Sequence, residues 1–65
     1  MTSRELQRKL RRLGATIDRR RGKGGHVMVR LRDREAIVPT GSGEIRRGTL
    51  FKIPRDLDLG LDDLN

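Results

Sequence analysis

The chain has 65 residues with no cysteine, tryptophan or tyrosine and a single phenylalanine, which excludes disulfides and cysteine-rich metal sites and leaves one small domain, 1–65, as the expected organisation. No apolar run approaches the roughly 18 residues of a membrane span, and no signal-type segment follows the charged N-terminus, so a soluble, cytoplasmic protein with no membrane partner is expected. The net charge of +7 is unevenly placed: residues 1–34 carry twelve Lys/Arg against Glu5, Asp18 and Asp33, whereas residues 55–65 carry Arg55 against Asp56, Asp58, Asp62 and Asp63. Thirteen of the sixteen basic residues are arginine, the side chain that forks onto phosphate oxygens. A basic half on so small a domain is the footprint of a polyanion, and nucleic acid is the expected ligand.

Thr2-Ser3-Arg4-Glu5 is a capping-box pattern, and Leu6, Leu10 and Leu13 follow at helical spacing. A helix over 3–13 is predicted, stopped by Gly14 in a left-handed conformation, with Arg8, Arg11 and Arg12 on a solvated face. Residues 15–20 read as a first strand with Ile17 inward, and the glycines of 22–25 as a turn. From His26 to Leu31 the residues alternate: Val27, Val29 and Leu31 point one way, His26, Met28 and Arg30 the other. A tight turn at Asp33-Arg34 leads to a third strand, 35–39, and then a loop over 40–43. Leu50, Phe51, Ile53 and Leu57 suggest a second helix from about Gly48, kinked or shortened by Pro54. Residues 60–64 can add a last helical turn. The order α-β-β-β-α is an α+β arrangement, a three-stranded antiparallel sheet with both helices on one face to close the core.

Histidine alone among side chains has an unperturbed pKa near neutrality, and His26 is the only one in the chain. Acid–base chemistry at pH 7 therefore falls to it. Its alternation points it off the core, and it directly follows Arg19, Arg20, Arg21 and Lys23, while the glycines let another backbone come close. Phosphodiester cleavage by a 2′-hydroxyl needs a proton carrier and positive charge on the phosphorane oxygens. A histidine beside arginines supplies both, and the lack of an acidic cluster outside the tail argues against a two-metal nuclease. No metal or other cofactor is expected. Arg20, Arg21, Lys23, Gly24, Gly25 and Arg30 are the expected RNA contacts. A non-catalytic RNA-binding module of the same fold is the alternative, since double-stranded RNA is read by shape and phosphate contacts that need no histidine; a small basic ribosome-associated protein is a third reading.

Several segments resemble the HicA toxins of type II toxin–antitoxin modules, small mRNA interferases with a double-stranded-RNA-binding-domain-like fold. They are the leading helix with LQRKLRRLGA, then RGKGGHVMVRL where that family shows a Gly-Ser-His motif, then AIVPTGSGEIRRGTLFKI, and LDLGLDDL at the end. The resemblance implies that His26 is the catalytic histidine and that an acidic HicB-type antitoxin is the partner. The chain departs from the family pattern at Gly25, which stands in place of serine, at Val27, where many members have a second histidine, and at Pro54. On charge and resemblance together, the antitoxin is expected to cover His26, with Met28 as an apolar anchor.

Overall fold

The structure, a computed structural model, describes residues 1–20, 24–41 and 43–64. Helix α1 spans Ser3–Arg12. Its start is the expected capping box: Thr2 Oγ1 accepts from the Glu5 amide, and the Thr2 amide donates to Glu5 Oε1, each at 3.2 Å. Its end is a Schellman motif. Gly14 sits at φ 100° and donates to the Arg11 carbonyl, while Ala15 donates to Leu10, both at 3.0 Å. The helix stops at Arg12, not Leu13, so Leu13 caps it and stays 37 % exposed instead of joining the buried stripe of Leu6 and Leu10.

Strands β1 (Thr16–Asp18), β2 (His26–Leu31) and β3 (Arg34–Pro39) form one antiparallel sheet in the order β1-β2-β3. The first strand is shorter than expected because Asp18 Oδ1 accepts from the Arg20 amide at 2.9 Å, turning the chain out of the sheet. The β2–β3 turn falls at Arg32-Asp33, one residue earlier than expected, since Leu31 pairs with Arg34 and Arg32 takes φ 58°.

Helix α2 covers Arg47–Asp56. Pro54 lies inside its last turn, and the helix ends two residues later at a second Schellman motif with Asp58 at φ 58°: Asp58 donates to Arg55 at 3.1 Å and Leu59 to Pro54 at 2.8 Å. Phe51 is on the wrong side of this helix to join the core. Ile53 and Leu57, four apart, are buried, and Phe51 is 48 % exposed. A 3₁₀ turn, Leu61–Leu64, closes the chain and buries Leu64.

One apolar core holds these elements together. Leu6 and Leu10 from α1, Ile53 from α2 and Leu57, which caps α2, pack with Val27, Val29, Leu31, Ala36 and Val38, all from one face of the sheet. Both helices therefore cover that face, and the other is left to solvent. No helix among the described residues is long and apolar enough to cross a membrane.

Candidate nucleic-acid interface

Strand register decides what the open sheet face displays. Pairing aligns His26 with Pro39, Met28 with Asp18 and Ile37, and Arg30 with Thr16 and Glu35. Directly opposed residues share a face, so these side chains stand opposite the core. His26 is exposed at the first position of β2, while its neighbour Val27 is buried. Beside His26, the Thr40 amide donates to the Gly25 carbonyl at 2.8 Å, closing that end of the β2–β3 pair. Gly25 adopts φ 80°, which a side chain would strain although nothing crowds the position.

Positive charge gathers near this end. The N-terminus of α1 is stitched to the stretch just before α2: Thr2 bridges Glu44, and the Ile45 amide donates to the Met1 carbonyl at 2.9 Å. Both helices thus begin near residues 39–41, on the side of the sheet opposite His26. Helix α2 starts with Arg46 and Arg47, with no acid in its first turn and no side-chain cap. Finally, Arg4, Arg11 and Arg19 border a cleft of about 570 Å³ between α1, the end of β1 and the Thr40–Gly41 segment.

The expected site residues are distributed as follows. Arg20, Gly24 and Gly25 are exposed in the connection leading to His26. Arg21 and Lys23 lie outside the described residues. Arg30 is exposed on the same face as His26 but four residues along β2, roughly 13 Å at strand rise, and its Nε donates to the Arg32 carbonyl at 3.2 Å. It belongs to the opposite end of the sheet. Met28 is half-buried between them, next to Ile37, which is 52 % exposed. Sequence reasoning missed Ile37 as part of this patch, although its alternation with Val38 signals it. It also did not foresee that Arg4, Arg11 and Arg19 line one cleft, although Arg11 is exposed as expected.

The family model described as HicA toxin of bacterial toxin-antitoxin matches residues 3–59, nearly the whole chain. The protein belongs to that family and is a toxin of a toxin–antitoxin pair. No curated protein matches the chain.

Proposed function

We propose that the protein is an mRNA interferase, a metal-independent endoribonuclease in which His26 is the general acid or base. The observation that carries this is the exposure of the only histidine at the end of the sheet where both helix N-termini and several arginines gather. In the reaction the 2′-hydroxyl loses its proton as its oxygen attacks phosphorus, the bond from phosphorus to the 5′-oxygen breaks, and that oxygen takes up a proton. His26 carries one of these protons, and guanidinium groups stabilise the charge on the phosphorane. Arg20, Arg21, Lys23, Gly24 and Gly25 contact the RNA next to His26, and Arg30 contacts it further along the strand. The test is incubation of purified protein with RNA in EDTA. Cut ends that appear with unchanged rate support the reading; intact RNA, or cleavage abolished by the chelator, overturns it.

The protein partner is an acidic HicB-type antitoxin that covers His26. The basic end would steer an acidic protein onto the surface, and Met28 with Ile37 offers it an adaptable apolar anchor. RNA and antitoxin should then compete. Titrating antitoxin into a protein–RNA complex should release the RNA, and a ternary complex that still cleaves would place the antitoxin elsewhere.

A further inference from the structure

We propose that the cleft bordered by Arg4, Arg11 and Arg19 binds a phosphate of single-stranded RNA flanking the scissile one, so that the substrate is held at two places. The proposal rests on the RNA-cleaving reading of His26 and extends it to a second contact. Arg4, Gln7 and Arg11 are one and two turns apart, so they form a stripe along one face of α1, and folding sets Arg19 from the end of β1 against that stripe. Gln7 and Ser3 also line the cleft. They are only 8 % and 4 % exposed, and Gln7 Nε2 donates to Ser3 Oγ at 2.9 Å. A cationic rim over a polar floor suits an anionic, hydroxyl-bearing ligand and does not suit an apolar segment of a protein.

The charges are available. Among the described residues no carboxylate pairs with Arg4, Arg11 or Arg19. Three acids on the neighbouring segments are already engaged, Glu5 by Thr2, Glu44 by the terminal ammonium of Met1 and Asp18 by the Arg20 amide. The capping box occupies the Thr2 and Glu5 amides and sets the Glu5 carboxylate at the helix end, so the guanidinium groups carry most of the positive charge offered to a ligand. At about 570 Å³ the cleft has room for a phosphate with its sugar. Its position fits as well: Thr40, one of its walls, adjoins Pro39, the cross-strand partner of His26. An RNA chain crossing His26 on the open face reaches the cleft by passing over this edge.

The test measures binding of a fluorescent oligoribonucleotide to the His26→Ala protein, which keeps the substrate intact, over a range of salt. Arg11→Gln and Arg19→Gln, introduced into that protein, should each weaken binding about ten-fold at low salt. Each should also flatten the slope of log K against log salt by roughly 0.7, the loss of one single-strand phosphate contact. Arg12→Gln, exposed on α1 outside the cleft, is the control and should do less. A dinucleotide carrying only the scissile phosphate should bind all of these proteins alike. If Arg11→Gln and Arg19→Gln match the control on the long RNA, or if the His26→Ala parent binds no RNA, the cleft assignment is wrong. Wild-type protein that binds RNA through the cleft but never cuts it would overturn the catalytic reading and leave the cleft standing. Cleavage that is indifferent to both arginines would do the reverse.

Discussion

Two adjacent residues on β2 provide a sharp test, because one step along a strand exchanges the solvent face for the core. His26 is exposed and Val27 is 3 % exposed, so alanine at each position asks a different question. Replacing His26 removes no core volume and should change stability by at most about 0.5 kcal/mol, or about 2–4 °C in Tm for a domain of this size. Replacing Val27 deletes two buried carbons at about 0.8 kcal/mol each and leaves a cavity, a loss of about 2 kcal/mol and a Tm lower by about 8–16 °C. Activity should reverse the order. His26→Ala should slow cleavage of a labelled RNA by about 10²-fold or more, the usual share of a positioned proton carrier, while Val27→Ala should cut normally at temperatures where it is folded. Thermal melts followed by circular dichroism and single-turnover cleavage read the two effects separately. Equal melting losses would refute the register that puts His26 outward. Wild-type cleavage by His26→Ala would refute its chemical role even with the register intact.

Salt should weaken RNA binding steeply, by about 0.7–0.9 in slope for each phosphate contacted, and an affinity flat from low to high salt would show that phosphates are not what the basic end holds. The two Schellman motifs give opposite expectations in thermal melts. Gly14→Ala forces a side chain into φ 100° and should cost about 1–2 kcal/mol, whereas Asp58→Gly relieves φ 58° and removes an acid from a helix C-terminus, for a gain of about 1 kcal/mol. The Glu5 carboxyl lies below its ordinary value of 4.5, first because the Thr2 amide donates to it and then because of the Thr2 hydroxyl. That contribution is full above the ordinary value and is lost as pH falls through the depressed one, so Glu5→Gln should flatten the acid side of a Tm-against-pH curve; an unchanged curve would discount the cap.

What could be read from the sequence was what local chemistry dictates. The alternation from His26 to Leu31 fixed both the strand and the outward direction of its polar residues, and Thr2, Glu5 and Gly14 marked the ends of α1. Errors came where a backbone hydrogen bond or a pairing elsewhere decided the matter. The turn at Arg32-Asp33 is set by Leu31 pairing with Arg34, and nothing about arginine announces a left-handed conformation. Leu13 and Phe51 carry apolar side chains, but the helix end and the 100° step between residues leave them outside. For the site, His26 and its glycine turn were local and visible. The cleft was not, because Arg4 and Arg11 meet Arg19 only when α1 packs beside the end of β1. The repeat of Arg4, Gln7 and Arg11 was the available signal, and it looks the same as an ordinary wet helix face.

Leu64 lies beyond the last residue matched by the family model, yet it is buried in the core, and its carbonyl accepts from Lys9 Nζ at 2.7 Å. The stretch where resemblance ends is therefore shorter than the stretch that folds. A protein trimmed at residue 59, as a similarity boundary would suggest, would uncover apolar surface beneath α1 and leave the Lys9 ammonium without its carbonyl. A carboxypeptidase working inward from the end would meet the same threshold. Taking Leu64 would withdraw a core side chain and loosen the helix that carries Arg4 and Arg11.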